Sequence, residues 1–168
     1  MLNYICLGIA AVLVALDQLV KFWAEHSLSQ VDTIALIPGV FHLTYVQNFG
    51  AAFNTMNNQR LLLVVLTSAV LLVIFVLLLL GKLRSPWMVV SWSLILAGGA
   101  GNLIDRLFRE GGYVVDLFDF RLINFPVFNV ADICVTVGMA LFLIYFIFIE
   151  RKEHRRFEIR QEIKRHEQ

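Results

Sequence analysis

Four apolar segments constrain the fold of this 168-residue chain more than any other feature of its sequence. They cover residues 4–23, 61–80, 86–104 and 130–149, and the second of them carries no charge. A helix of about 20 residues crosses the ~30 Å hydrocarbon core of a bilayer. Charged residues make up 16% of the chain, whereas soluble domains carry about a quarter. The sequence therefore predicts an all-α integral membrane protein in a single domain, residues 1–168, with four transmembrane helices.

The basic residues predict how these helices are oriented. Lys82 and Arg84 lie in the short connection between the second and third segments, and seven more Lys and Arg residues lie in the tail, residues 150–168. Because basic residues favour the cytoplasmic side, we expect both termini in the cytoplasm and the connections 25–60 and 105–129 outside. The tail is interpreted as a solvated cytoplasmic helix that fixes this topology or, alternatively, as a docking site for another protein.

The first outer connection contains a segment with the composition of β-strands. Within residues 31–53, β-branched and aromatic residues follow one another and are interrupted by Pro38 and Gly39. Such residues around a turn indicate strands. We therefore expect a small extracytoplasmic β-sheet between helices 1 and 2, resting on the membrane surface.

Several classes of function are disfavoured by the residues present. The net charge is only +1, which implies no general attraction to nucleic acid. Cys6 and Cys134 fall in different apolar segments and suit small buried side chains better than a disulfide or a metal site. The four histidines are scattered, at positions 26, 42, 154 and 166, and neither H-E-x-x-H nor G-x-S-x-G occurs. No metal, cofactor or serine nucleophile is expected.

Ionisable groups inside a transmembrane segment are candidates for function, because placing them in lipid is unfavourable. Asp17 and Lys21 are four residues apart in the first segment, so they share one helix face. Two compatible interpretations are open. The two side chains form an ion pair that neutralises itself while Lys21 extends to the interface, or Asp17 faces the bundle and orients a neighbouring group.

The end of the third segment combines small residues with polar ones. The small residues 97–101 allow either another helix or a substrate to approach the backbone closely. Asn102 and Arg106 are four residues apart and project on one face. Arg106 has three open roles: pairing with Asp105 or with Asp116, or binding a substrate carbonyl or a phospholipid headgroup.

Two carboxylates at the edges of apolar sequence suggest acid–base chemistry. Asp116 lies among valines, leucine and phenylalanines, and Asp132 begins the fourth segment in Asn129-Val-Ala-Asp132. Taken singly, Asp116 fits a surface-loop acid, and Asn129 with Asp132 fits an ordinary helix cap. If the loop between them brings both carboxylates together, they share a proton. One then activates water while the other protonates the carbonyl or the leaving amine, as in aspartic proteases.

Five motifs in this order resemble the bacterial lipoprotein signal peptidase family, signal peptidase II. The resemblance runs over nearly the whole chain except the tail. The matching motifs are Asp17-Gln18-x-x-Lys21, Asn48-x-Gly50-Ala51-Ala52-Phe53, Gly101-Asn102-x-Ile104-Asp105-Arg106, Val114-Val115-Asp116 and Phe128-Asn129-x-Ala131-Asp132.

The resemblance implies a four-helix membrane fold with a small outward β-cradle. It also implies an aspartyl endopeptidase that cleaves diacylglyceryl-modified prolipoproteins just before the lipidated cysteine. Asp116 and Asp132 match the catalytic pair of that family. The residues that match substrate-site or supporting positions are Asp17, Lys21, Asn48, Gly50, Asn102, Arg106 and Asn129. Asp105 is expected to be the structural partner of Arg106, and Asp119 matches nothing and is interpreted as a loop residue.

The expected setting is the bacterial cytoplasmic (inner) membrane, with the active site at its outer face. The expected partners are a lipid-modified prolipoprotein and membrane phospholipid, with no nucleic acid, and the protein is expected to be monomeric. The alternative function is a small four-helix transporter that uses Asp17, Asp116 and Asp132 as proton or cation sites. That alternative predicts acids near the midplane and an internal repeat, whereas the acids cluster toward one surface. A non-enzymatic scaffold gives no account of Asp116 and Asp132.

Overall fold

The computed structural model describes residues 1–31, 33–50, 60–83, 85–149 and 165. Within this part of the chain the elements follow in the order α1 (Leu2–Ser27), β1 (Ile34–Ile37), β2 (Phe41–Asn48), α2 (Arg60–Leu79), α3 (Pro86–Phe108), β3 (Val114–Phe120) and α4 (Val130–Ile144). A π-helical turn, Tyr145–Ile149, extends α4. The predicted tail, residue Arg84 and residues 51–53 lie outside the described residues, apart from Arg165.

Four of the described helices are long and apolar enough to cross a membrane, the fourth counted over Val130–Phe148. Together with a small antiparallel sheet, they confirm the predicted fold class. Helix α3 continues past residue 104 to Phe108, so Asp105 and Arg106 lie on its last turn. The Arg60 guanidinium donates to the carbonyl oxygens of Arg106 and Leu107, at 2.8 and 3.2 Å. These bonds satisfy carbonyls that a helix end otherwise leaves unpaired.

The sheet has three antiparallel strands in the order β1-β2-β3. Its first two strands form the hairpin expected from the first connection, which turns at Gly39 with a φ of +73°. The third strand comes from the second connection, between α3 and α4, and extends the expected sheet. The β2–β3 register places Val46 opposite Asp116 and Asn48 opposite Val114. This register brings the end of β2 next to the carboxylate of β3.

Helix α3 is the centre of the bundle, and glycines let its neighbours approach it. A Cβ on Gly98 would meet the carbonyl oxygen of Ala131 in α4, and one on Gly101 would meet the Asp17 carboxylate at 2.5 Å. A Cβ on Gly99 would meet Leu71 of α2 at 2.6 Å. Helix packing therefore accounts for all three glycines, the more ordinary of the two interpretations left open by the sequence.

Two apolar clusters tie the elements together. One joins α1, α2 and α3 through Cys6, Leu71, Ile74, Leu78 and Val89. The other packs the end of α1 against β3 through Ala24, Leu28, Val115 and Leu117. The second cluster fixes the sheet on one end of the bundle, here called the sheet end. Both cysteines are buried and free.

Candidate active site

Asp116 lies in the middle of β3, buried with 2% of its surface exposed. Its carboxylate accepts hydrogen bonds from two amides. Asn48 Nδ2 lies 3.0 Å from Asp116 Oδ2, and Asn129 Nδ2 lies 2.6 Å from Oδ1. Asp116 is therefore a buried acid fixed by two hydrogen bonds, and the interpretation of it as a surface-loop acid is wrong.

Asp132 lies in the first turn of α4, where it forms a capping box with Asn129. The Asn129 side chain accepts from the Asp132 backbone at 2.9 Å, and Asp132 Oδ2 accepts from the Asn129 backbone at 3.1 Å. The other oxygen, Oδ1, accepts from Asn102 Nδ2 at 2.8 Å. The cap exists as the simpler interpretation predicts, and it also fixes the carboxylate toward α3.

Two asparagine amides connect the acids. The Asn129 amide that binds Asp116 also lies 3.2 Å from Asn102 Oδ1, and the Asn102 amide binds Asp132. Both acids line one cavity of about 500 Å³, together with Asn48, Asn102 and Arg106. Residues from β2, β3, α3 and α4 thus meet at one place, as the sequence motifs predicted. We call Asp116 and Asp132 the carboxylate pair.

Burial raises the pKa of Asp116 to about 6. Hydrogen bonds from Asn48 and Asn129 favour its ionised form and oppose this shift, while the nearby charge of Asp132 adds to it. An acid with this pKa exchanges a proton close to neutral pH, which general acid–base catalysis requires. Asp116 can therefore exchange a proton with a group that enters the cavity.

A buried ion cluster lies behind the carboxylate pair. Lys21 Nζ is fully buried and lies 2.9 Å from Asp17, 2.9 Å from Asp105 and 2.8 Å from Asn102 Oδ1. Asp17 also accepts from the backbone N–H of Ala131, at 2.9 Å. The ion pair predicted from the sequence is present, but Lys21 does not extend to the interface. Its ammonium uses its three donors inside the bundle, and Asp17 holds the first turn of α4.

Asp105 and Arg109 continue this cluster toward the sheet end, and sequence reasoning missed their role. Asp105 accepts from Lys21 and, at 3.0 Å, from Arg109, so the expectation that it partners Arg106 was wrong. Arg109 also binds Glu25 of α1, which accepts from the Tyr113 hydroxyl at 2.8 Å. Burial lowers the pKa of Arg109, but its bonds to Glu25 and Asp105 outweigh burial and raise it. Short sequence motifs contain no information about partners that lie this far apart in the chain.

Arg106 forms no ion pair with the described residues. Its guanidinium donates to the carbonyl oxygens of Gly50, at 2.9 Å, and Asn102, at 3.2 Å, and it lines the cavity. Gly50 in turn donates its backbone N–H to Asn48 Oδ1 at 2.9 Å. Arg106 and Asn48 are therefore coupled through Gly50. This geometry contains neither of the ion pairs considered for Arg106, with Asp105 or with Asp116. It is consistent with the remaining role, the binding of a group that enters the cavity.

Asp119 is a strand residue, which corrects the expectation of a loop residue. It is 9% exposed and accepts from Thr44 Oγ1 at 2.8 Å and from Arg121 Nε at 2.7 Å. Burial raises its pKa, but these two hydrogen bonds outweigh burial and lower it. Asp119 belongs to a separate polar cluster within the sheet and does not line the cavity.

The described residues contain no group of three or more His, Cys, Asp or Glu side chains that could hold a metal ion. Four membrane-crossing helices and a buried carboxylate pair in an accessible cavity define a polytopic membrane protein with a two-carboxylate site. The model of one such family, Signal peptidase (SPase) II, matches residues 9–148. The chain belongs to this family, as its motifs indicated.

Similar proteins agree with this assignment. The chain is 43% identical over 142 residues to the lipoprotein signal peptidase of Streptococcus thermophilus strain CNRZ 1066, covering 84% of this chain and 92% of that protein. It is 40% identical over 148 residues to the lipoprotein signal peptidase of Brevibacillus brevis, covering 88% and 97%. A solved bacterial membrane enzyme, determined by the in meso method at 2.3 Å resolution, superposes with a TM-score of 0.78. It is 29% identical and covers 84% of this chain and 87% of that chain.

Proposed function

We propose that this protein is an aspartic endopeptidase that removes signal peptides from diacylglyceryl-modified prolipoproteins, cleaving just before the lipidated cysteine. The substrate class comes from its relatives, which are named lipoprotein signal peptidases. The observation that carries the mechanism is the carboxylate pair, whose members are joined through Asn102 and Asn129 and line one cavity.

The pair acts with one proton between its members. The ionised carboxylate accepts a proton from a water molecule, whose oxygen attacks the carbonyl carbon of the scissile peptide bond. The protonated carboxyl donates to the carbonyl oxygen and, as the tetrahedral intermediate breaks down, a proton passes to the leaving amine. The raised pKa of Asp116 supports this scheme, because a pair that is doubly ionised at working pH has no proton to donate.

The remaining cavity residues position the substrate. Asn48 and Asn129 hold Asp116, and Asn102 holds Asp132. Arg106 offers a cation at the cavity wall to a substrate carbonyl or to a lipid headgroup. The substrate enters sideways from the bilayer with its lipid anchored between the helices. A fixed anchor restricts where the bond can lie and provides rate enhancement through orientation.

The proposed setting is the cytoplasmic (inner) membrane of a bacterium, with both termini in the cytoplasm and the sheet end outside. The transporter alternative is weakened by Asp17. This acid is 1% exposed and is bonded to Lys21 and to the Ala131 backbone. An acid that is neutralised and closed to water is unsuited to carrying ions in turn.

Cleavage of a purified, diacylglyceryl-modified precursor by single variants tests the proposal. Asp116→Asn and Asp132→Asn should each lower kcat by at least about 100-fold, since each removes one acid–base group. Asp119→Asn is the matched control, being the same change three positions along β3 at a residue outside the cavity, and it should keep near wild-type turnover. Near-normal turnover by either of these two variants would overturn the proposal. Ion flux into liposomes without cleavage would favour the transporter.

A further inference from the structure

We propose that the hydroxyls of Thr67 and Thr136 bind the backbone of the signal segment just before the scissile bond. The part of the cavity that runs from the carboxylate pair into the bundle is then a site for an extended peptide, and the acyl chains of the substrate lie elsewhere. This inference rests on the proposed function, and it deepens that function by assigning one part of the substrate to one part of the cavity.

The cavity extends well beyond the carboxylate pair. Thr136 lines it four residues after Asp132 on α4, which places it one turn, about 6 Å, further along the helix. Thr67 of α2 and Gly99 of α3 line it as well. Gly99 lies about one turn before Asn102 on α3, so this region continues from the carboxylate pair toward the middle of the bundle. Residues of three helices thus line the part of the cavity that continues from the carboxylate pair.

The two hydroxyls have no partner in the described part of the chain. A Ser or Thr hydroxyl in a transmembrane helix commonly donates to the carbonyl oxygen four residues earlier. Ser91 does this, with its Oγ 2.7 Å from the carbonyl oxygen of Trp87. Thr67 and Thr136 line the cavity instead and remain available to a ligand.

An acyl chain and a peptide differ in whether they can form hydrogen bonds with these hydroxyls. A hydroxyl packed against an acyl chain has no hydrogen-bond partner, which is unfavourable in an apolar environment. A peptide whose scissile bond is exposed to attack must be unwound there, and in lipid its free N–H and C=O groups need partners. Unpaired hydroxyls on two of the helices that line the cavity suit the peptide.

The spacing assigns the contact to a position in the substrate. An extended chain rises about 3.3 Å per residue. The distance of about 6 Å from Asp132 to Thr136 along α4 therefore corresponds to two residues. Thr136 is placed to bind the peptide group about two residues before the scissile bond, on the signal-peptide side.

Isosteric substitutions test this assignment in the full-length protein with a diacylglyceryl-modified precursor peptide in detergent micelles. Thr67→Val and Thr136→Val remove only the hydroxyl, and each should raise KM roughly 3- to 10-fold, the factor expected for one hydrogen bond. The value of kcat should change less than about twofold, because the contact exists before and during reaction. Thr67→Ser and Thr136→Ser should keep the wild-type KM. Ser68→Ala is the matched control, since Ser68 neighbours Thr67 on α2 but does not line the cavity.

A modified substrate provides a second measurement. Replacing the peptide link two residues before the scissile bond by an ester removes its N–H and weakens its carbonyl acceptor. The ester should raise KM for the wild type and should have little further effect on Thr136→Val, since coupled groups are non-additive. Valine variants with unchanged or lower KM would overturn the inference and assign an acyl chain to this region. An inactive wild type would instead overturn the proposed function itself.

Discussion

Asn102 is the residue at which the two charged systems of the molecule meet. Its Oδ1 accepts from the Lys21 ammonium at 2.8 Å, so its amide nitrogen must point the other way, where it donates to Asp132 at 2.8 Å. An ammonium group has donors only, and it therefore decides the orientation of this amide. Lys21 is a positioning residue in this scheme, acting on Asp132 through Asn102.

This orientation leads to a prediction for Asn102→Asp. The new carboxylate keeps the shape of the amide and its bond to Lys21, but it faces Asp132 with a like charge. We expect kcat at pH 7 to fall at least about 100-fold, with partial recovery as the pH is lowered. The recovery follows because a protonated carboxyl can again donate to Asp132. A pH–rate profile measures this effect, and an activity loss that stays constant across pH would contradict it.

The raised pKa of Asp116 predicts a pH-dependent stability. Its pKa is about 6 in the folded protein, compared with about 3.9 in an unfolded chain. The folded state therefore binds the proton more tightly, and this contribution to stability is lost as the pH rises from about 4 to above 6. Asp116→Asn carries no such group, so its stability relative to wild type should rise over this range by up to about 3 kcal/mol.

Thermal unfolding in detergent at pH 4 and pH 7 measures this difference. Asp119→Asn provides a control of opposite sign, because hydrogen bonds lower the pKa of Asp119 in the folded protein. The wild-type carboxylate at position 119 stabilises the fold above its unfolded pKa and loses this effect at low pH. Asp119→Asn should therefore become less stable relative to wild type as the pH rises. Parallel behaviour of the two variants would contradict the assigned pKa shifts.

At the scale of the elements, the contact between α3 and α4 sets the distance between Asn102 and one member of the carboxylate pair. Asn102 lies on α3 and Asp132 on α4, and their hydrogen bond joins the two helices. The helices approach closely because Gly98 faces Ala131 and Val135, while Gly138 faces Ser91 and Ile95. A change at this contact alters the site without touching a polar residue.

Gly98→Ala tests the importance of that contact. The added methyl would overlap the carbonyl oxygen of Ala131 and lie 2.7 Å from Val135 Cγ2, so α4 must move away. We expect a loss of about 1–3 kcal/mol in stability and a larger loss of kcat than of substrate binding. Gly8→Ala is the matched control, because nothing lies within 4 Å of its added methyl. That change should be neutral or stabilising, since alanine is the better helix former. Equal effects of the two substitutions would contradict the packing argument.

The sequence predicted the helices better than the sheet, and the reason is physical. In lipid each helix satisfies its backbone within its own segment, so local hydropathy is sufficient to predict one. Strand β3 needs β2 as a partner, and Asn48 and Asp116 are 68 residues apart. Its two aspartates also interrupt the apolar pattern. A strand whose partner is distant and whose composition is mixed carries little local signal.

Some residues of the candidate site could be predicted from local sequence, and others could not. Asp116, Asp132 and Asn102 were predicted because short motifs contain them. Glu25 and Arg109 were not predicted, since these residues are 84 positions apart and each is an ordinary charged residue near a helix end. What local sequence cannot give is the pairing of distant charges, which depends on how helices are placed in three dimensions.

At the scale of the whole molecule, the placement of the site relative to the bilayer governs its chemistry. The carboxylate pair lies at the sheet end, beside β3 and the first turn of α4. The other end of the bundle carries Lys82 in the connection between α2 and α3. A hydrolase of lipid-anchored substrates needs water at the reacting bond, and the sheet end provides it if this end lies outside the hydrocarbon core. The positive-inside rule predicts that the sheet end lies on the outer side of the membrane.

Cysteine labelling in whole spheroplasts tests this orientation. Cys6 and Cys134 are buried, which keeps the labelling background low. Leu122→Cys introduces a thiol at a residue that is 63% exposed, just after β3, and a membrane-impermeant maleimide should label it in intact spheroplasts. Lys82→Cys, at the opposite end, should react only after permeabilisation. The reverse pattern would place the carboxylate pair on the cytoplasmic side. A site there would have no access to precursors whose lipidated cysteine lies at the outer surface, so the proposed substrate would fail together with the orientation.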